Sequence, residues 1–197
     1  VKTAVVAGAL SLGLLLSACS SASDTLAEQY RSGSGQNYIS GDGAITVVAP
    51  DSRKDPVSFG GELDNGGFFS PEDYAQSVTV VNFWYAGCPP CRLEAADLEA
   101  IYQEYREEGV VFVGVNIFDQ APTALAFASE FGVTYPSIMD VADGGVRLAF
   151  AGEVAPNAVP TTLVLDATGR VATRISGLLS EPDILRGMID DLLSESR

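Results

Sequence analysis

Phe83-Trp84-Tyr85-Ala86-Gly87-Cys88-Pro89-Pro90-Cys91 closes a short apolar run and opens a helical pattern, and the rest of the chain is arranged around that junction. Upstream, Val78 to Trp84 is mostly β-branched and aromatic, with the length and composition of a buried strand. Downstream, Leu98, Ile101, Tyr102 and Tyr105 recur at the i, i+3, i+4, i+7 spacing of an amphipathic helix. Pro89 suits the first helical position, because its fixed φ fits and its missing N–H would have had no intrahelical partner. Cys88 is then the capping residue. Cys88 and Cys91 lie three apart on one turn, near enough for their sulfurs to close a disulfide with little backbone movement. Cys88 also faces the free N–H groups and the positive end of the helix dipole, which favour a thiolate over a thiol. Cys88 is therefore expected to be the exposed, attacking nucleophile. Pro89 and Pro90 remove two donors that could hold its sulfur, which leaves the N–H groups of Cys91 and Arg92 for that task.

A C-x-x-C can also be half of a structural zinc site, which needs two further Cys or His ligands. The chain has no histidine, and its only other cysteine, Cys19, follows an apolar leader. No metal is expected, and no cofactor beyond the redox-active pair Cys88–Cys91. With 197 residues the chain is long enough for one domain with a sizeable core, plus tails. Eleven Lys and Arg against 26 Asp and Glu give a net charge of −15, spread along the chain without an acidic block. That charge argues against nucleic acid as a partner and is consistent with a solvated surface, or with attraction for a basic polypeptide.

Residues 1–18 carry one Lys near the start and then an uncharged apolar stretch ending in small residues, a signal-peptide pattern. Leu16-Ser17-Ala18-Cys19 resembles the lipobox of bacterial lipoproteins, in which the signal is cut before a cysteine that is then lipidated. Residues 19–43 turn to Ser, Gly, Asn and Gln, a composition expected to form a flexible tether. Residues 44–197 are expected to fold. Ile45 to Ala49 reads as a first strand, and Val57 to Leu63 and Gly67 to Phe69 flank the turn Asp64-Asn65-Gly66 as a hairpin. Ser70-Pro71-Glu72-Asp73 reads as a helix start. After the first long helix, Gly109 is a C-cap and Val110 to Ile117 a second buried strand. Pro122 to Phe131 is a helix with Leu125, Ala128 and Phe131 at helical spacing, Pro136 to Met139 a brief strand, and Val146 to Ala151 a short helix. Strands alternating with helices predict a parallel sheet covered on both faces. Thr161 to Leu165, the turn Asp166-Ala167-Thr168-Gly169 and Val171 to Ile175 make a closing hairpin, and Asp183 to Leu193 a last helix.

A strand, W-x-x-x-C-x-x-C, helix, strand, helix, then Val159-Pro160-Thr161 before a closing hairpin and helix together resemble the thioredoxin fold, over about residues 45 to 195. Extra material from Thr134 to Gly152 resembles the insertion of the TlpA/ResA group of extracytoplasmic thioredoxin-like proteins. So does Val81-Asn82-Phe83-Trp84-Tyr85-Ala86-Gly87-Cys88-Pro89-Pro90-Cys91-Arg92-Leu93-Glu94, which matches that group's V-N-F-W-x-x-W-C-x-P-C-[RK]-x-E except that Gly87 replaces the aromatic before the first cysteine. The expected fold class is thus α/β, a thioredoxin fold with an N-terminal β-hairpin extension and a central strand-helix insertion.

The resemblance implies three further assignments. Pro160 should follow a cis peptide bond and face the cysteines, leaving the backbone of Val159 free to pair with a bound polypeptide. Glu94 matches the group's acidic residue beside the dithiol and could hold or relay the proton of Cys91. The bland alternative for Glu94 is a solvated helix carboxylate. Asn82 stands where ordinary thioredoxins have a buried Asp. Trp84 is expected in the core with one exposed edge, and as a candidate substrate contact.

What the resemblance implies for function is an extracytoplasmic thiol-disulfide oxidoreductase, lipid-anchored to the cell membrane through Cys19. Its implied partners are a disulfide-containing polypeptide, with apocytochrome c as the group's best-known substrate, and a membrane thiol electron donor. General exchange on secreted proteins and a non-catalytic interaction protein are the alternatives. A peroxiredoxin would carry Thr where Tyr85 stands, and a Sco-type metal carrier needs a C-x-x-x-C and a distant His, neither of which is present.

Overall fold

All six residues of Thr79–Trp84 are buried, the pattern of a strand with neighbours on both edges and cover on both faces. The computed structural model describes residues 44–155 and 157–196. Cys19, the leader and the tether lie outside the described residues. In chain order the elements are β1 (Ala44–Val47), β2 (Gly61–Glu62), β3 (Phe68–Phe69), β4 (Thr79–Trp84), α1 (Pro89–Tyr105), β5 (Val111–Asn116), α2 (Ala121–Phe131), β6 (Ser137–Met139), α3 (Gly145–Ala149), β7 (Thr161–Leu165), β8 (Val171–Ser176) and α4 (Pro182–Glu195).

The main sheet has the order β1-β8-β7-β4-β5-β6. Its three strands β4, β5 and β6 are parallel, as the strand-helix alternation predicts, but β7, β8 and β1 run antiparallel. The sheet is mixed because the link between β7 and β8 is a tight turn, too short for the crossover that a parallel pair requires. Asp166 builds that turn, accepting hydrogen bonds from the N–H groups of Thr168 and Arg170, with Gly169 at φ 84°.

Alternating residues of β4 feed two cores. Val80 packs with Phe112 and Ile175 against Leu98 and Ile101 of α1 and Leu185 and Ile189 of α4. Val81 and Phe83 belong to a second cluster that includes Phe59, Phe69, Tyr74 and Phe150. This second face is covered by the N-terminal extension and the insertion. Phe59 stacks on Tyr74 at 4.7 Å, and Phe150 meets the edges of Phe59 and Phe83 at 5.0 and 5.7 Å.

Two expectations need correction, and a third holds in short form. The hairpin β2–β3 is only two residues deep, because Val57 and Phe59 leave it to donate their N–H groups to Gly169 O and the Tyr74 hydroxyl. The helix start at Ser70 is present as a short 3-10 turn, Pro71–Tyr74, capped by Ser70 and closed by a capping box with Asp73. On α2 the buried residues are Ala124 and Phe127, while Leu125 is 45% exposed. The helix is turned so that Phe127 meets Trp84, with ring centroids 4.4 Å apart.

The short helix of the insertion after β6 is anchored by the carboxylate of Asp140. Asp140 accepts the N–H groups of Val146 and Arg147 at 2.7 and 3.2 Å and pairs with Arg147 Nε at 2.8 Å. An acid at the start of a short helix satisfies donors that have no intrahelical partner.

Candidate active site

Trp84 ends β4, and three residues later Cys88 caps α1 with Pro89 at the first helical position. Cys88 and Cys91 are joined in a disulfide, with Cα atoms 5.3 Å apart. Cys88 Sγ accepts the N–H of Cys91 at 3.3 Å. The N–H of Arg92 instead donates to Cys88 O at 3.2 Å, continuing the helix, so one backbone donor holds the sulfur where two were expected. Exposure also departs from expectation: Cys88 is 0% and Cys91 2% accessible. Both sulfurs join the apolar cluster that contains Tyr85 and Val159, so in the oxidised state only the helix cap distinguishes them.

The loop before Cys88 is clamped at Ala86. Its N–H donates to Asp119 Oδ2 at 2.6 Å, and its carbonyl accepts from Arg92 Nη1 at 3.3 Å. Asn116 donates to the same Asp119 oxygen at 2.9 Å and accepts the N–H groups of Phe118 and Asp119. Arg92 in turn pairs with Glu130 at 2.7 Å and lies 4.7 Å from the Phe131 ring. Asn116, Asp119 and Glu130 did not stand out in the sequence. The one available signal is Asn116-Ile117-Phe118-Asp119, an Asx-turn pattern directly after a buried strand. Replacing Asp119 by Ala removes the acceptor of two hydrogen bonds at the site and is expected to cost about 1.5–3 kcal/mol. Urea unfolding measures the stability, and slower disulfide exchange by the folded variant would show that the clamp also positions the loop.

Glu94 lies one turn beyond Cys91 and is 1% exposed, so the solvated alternative does not hold. Its Oε1 accepts from Asn82 Nδ2 at 2.9 Å and its Oε2 from the Leu179 N–H at 2.9 Å. Asn82 also donates to Thr162 Oγ1 at 3.1 Å. Burial pushes the Glu94 carboxyl up to about 7, against the two hydrogen bonds that lower it, with a small further rise from Asp97. Asn82 lines a void of about 10 Å³ together with Cys91, Trp84, Tyr135 and Ser137. That is room for about one water. Burial and the nearby Glu94 push the Tyr135 hydroxyl well above its ordinary range.

Trp84 requires a correction as a substrate contact. It is 6% exposed, gives its indole N–H to Ser137 Oγ at 3.1 Å and packs on Phe127, so it walls the interior beside Cys91. Gly114, opposite Asn82 on β5, makes room for this pair: a Cβ there would fall on Ser137 Oγ and 2.7 Å from Trp84 Nε1. The Val159–Pro160 bond is cis. Both residues are buried, and the Val159 N–H and C=O have no hydrogen-bond partner among the described residues. At Gly87 a side chain would meet the Tyr85 ring, 3.1 Å from its Cβ, so Tyr85 occupies space beside the position that the TlpA/ResA pattern fills with an aromatic.

A family model described as Redoxin matches residues 49–187, more than half of the chain. The chain is 32% identical over 114 residues to thiol-disulfide oxidoreductase ResA of Geobacillus kaustophilus, covering 58% of this chain and 63% of that protein. It is 37% identical over 117 residues to thiol:disulfide interchange protein HelX of Rhodobacter capsulatus, covering 59% and 61%. The match thus spans less than two thirds of either relative. Among solved structures, a thioredoxin family thiol:disulfide interchange protein from Chlorobium tepidum superposes with a TM-score of 0.65 at 28% identity, covering 74% of this chain and 99% of that one. A secreted thiol-disulfide isomerase from Corynebacterium glutamicum gives 0.68 at 27% identity, covering 80% and 96%.

Proposed function

This chain belongs to the Redoxin family and has a thioredoxin-like fold, and on that premise we propose that it is a thiol-disulfide oxidoreductase working through Cys88 and Cys91. The observation that carries the proposal is the disulfide at the cap of α1, one helical turn from a buried carboxyl raised to about 7. In the reducing direction, the Cys88 thiolate attacks one sulfur of a substrate disulfide. A Cys88–substrate bond forms, the substrate S–S bond breaks, and the displaced thiolate takes a proton. Cys91 then attacks Cys88 Sγ, closing the internal disulfide and releasing the second substrate sulfur. Glu94 takes the proton that Cys91 must lose, since a carboxyl that titrates near neutral pH can both accept and return it. Two electrons from a membrane thiol donor reopen the pair.

The substrate reading is reduction of the cysteines of apocytochrome c on the outer side of the membrane, which the likeness to the TlpA/ResA group supports. General exchange on secreted proteins is the second reading, favoured by the similarity to the secreted isomerase of Corynebacterium glutamicum. Insulin and an apocytochrome c disulfide, offered to the reduced full chain, separate the two. A rate on apocytochrome c no higher than on insulin would favour general exchange, and no reaction with either would sink the enzymatic proposal.

The signal-peptide and lipobox patterns support removal of residues 1–18 and lipid attachment at Cys19. Replacing Cys19 by Ala is expected to release the protein from the membrane with its disulfide exchange unchanged. Failure of the unaltered protein to incorporate radiolabelled palmitate would overturn the anchor.

A further inference from the structure

Every lysine and arginine among the described residues except Arg174 has a carboxylate oxygen at 3.4 Å or closer. Arg174 has none, in a chain with 26 acidic and 11 basic residues. Its Nη1 donates to Glu153 O at 2.8 Å and its Nη2 to Thr46 Oγ1 at 3.5 Å, both neutral acceptors. Its Nε–H is buried and has no acceptor among the described residues. A guanidinium offers five N–H donors and a full charge. One that is half-buried, with only one neutral partner on each Nη group, keeps Nη donors and a charge for an anion that the described residues do not supply.

Arg174 lines a cleft of about 600 Å³ between β8 and the segment that follows α3. Arg147 lines the same cleft; its Nε and Nη2 are held by Asp140, while its Nη1 has no hydrogen bond among the described residues. The acid that lines the cleft, Glu153, has its carboxylate paired with Lys54. Leu148 and Val154 add apolar wall. Two guanidinium groups with an apolar floor fit a carboxylate on a short aliphatic stem. The wall ends at Ala155, four residues before Val159, a distance of at most about 14 Å for an extended chain.

We propose that this cleft is a subsite for an acidic side chain of the polypeptide substrate, within about four residues of the stretch that pairs with Val159. This rests on the oxidoreductase reading above, and it names a feature of the substrate that the cysteines themselves cannot select. The net negative charge of the protein does not oppose it, because long-range repulsion is screened over about 10 Å while the two guanidinium groups act at contact.

The test uses the reduced full chain and pairs of disulfide-bearing peptides, identical except for Glu or Gln at the second to fifth residue from the cysteine. For at least one spacing the Glu peptide is expected to show a KM about tenfold lower at equal kcat, an advantage that shrinks with added salt. Arg174→Gln should erase that advantage. So should Leu148→Glu, which places a carboxylate on the rim at a position 76% exposed and so decides the matter even if Arg174→Gln does not fold. Equal KM values for Glu and Gln peptides at every spacing, or an advantage that survives Leu148→Glu, would overturn the subsite while leaving the oxidoreductase reading intact. Reduction of neither peptide would overturn that reading, and the subsite with it.

Discussion

Replacing Cys88 by Ser should bring disulfide exchange down to the uncatalysed rate, a loss of at least about a thousandfold, because a hydroxyl at that position cannot form the anion that attacks sulfur. The fold should persist. The cysteines are three residues apart, so the disulfide closes a very short loop, and the helix cap that Cys88 provides has a hydroxyl acceptor in its place. Cys91→Ala is expected to behave differently: Cys88 still attacks, but nothing resolves the product, so the variant accumulates as a covalent mixed disulfide with its substrate. Insulin turbidity measures the first loss, and non-reducing electrophoresis followed by mass spectrometry measures the second. Trapping by the Cys88→Ser variant instead of Cys91→Ala would reverse the two roles. The near-equal burial of both sulfurs makes that comparison necessary, since exposure does not tell the nucleophile from its partner.

Stability of the oxidised protein should fall as pH rises from about 4.5 through about 7, and Glu94 is the cause. Its folded pKa, about 7, lies above the unfolded value of 4.5, so the folded state binds the proton more tightly. Such a group stabilises the fold fully below the unfolded value, and the contribution is lost as pH climbs through the folded one. The interval corresponds to about 3 kcal/mol at most. Keeping the protein oxidised removes Cys88 and Cys91 from the titration. Glu94→Gln should flatten this part of the curve, since the amide keeps an acceptor for the Leu179 N–H and Asn82 can turn its own amide to meet the new donor. Asp166 provides an internal control of opposite sign. Burial raises its carboxyl, but hydrogen bonds from Thr168, Arg170 and Arg53 together outweigh that and lower it to about 2, so its contribution is present above 3.8 and lost as pH falls through 2. In the reduced protein the same Glu94→Gln exchange should let Cys91 form its thiolate at lower pH, by removing a nearby negative charge, yet slow resolution because the proton acceptor is gone. Urea unfolding across pH 2 to 9, with thiolate absorbance for the reduced form, measures both. Superimposable curves for the two proteins would remove Glu94 from the site.

The central strand, the helix cap and the dithiol were legible because each is written in a few neighbouring residues. A run of β-branched residues makes β4, a Pro at the first helical position makes the cap, and a spacing of three brings the sulfurs together. The closing hairpin was legible for the same reason, in Asp166-Ala167-Thr168-Gly169. Resemblance extended that reach to Pro160 and Val159, whose conformation no local rule would indicate. Helix α2 shows where pattern fails: Leu125, Ala128 and Phe131 are as well spaced as Ala124 and Phe127, and only the position of the Trp84 ring decides which stripe turns inward.

The amino-acid order alone therefore determined the strand-cap-helix junction and the reversible sulfur pair that it presents. Tertiary structure decided the electrostatic state of that site. Glu94 is held by Asn82, 12 residues earlier, and by Leu179, 85 residues later, while Ala86 is held by Asp119, 33 residues away. Propensity and spacing act over a turn or a hairpin, whereas burial and pairing depend on groups that the chain brings together only after the sheet has formed, and it is burial that moves a carboxyl from 4.5 to about 7.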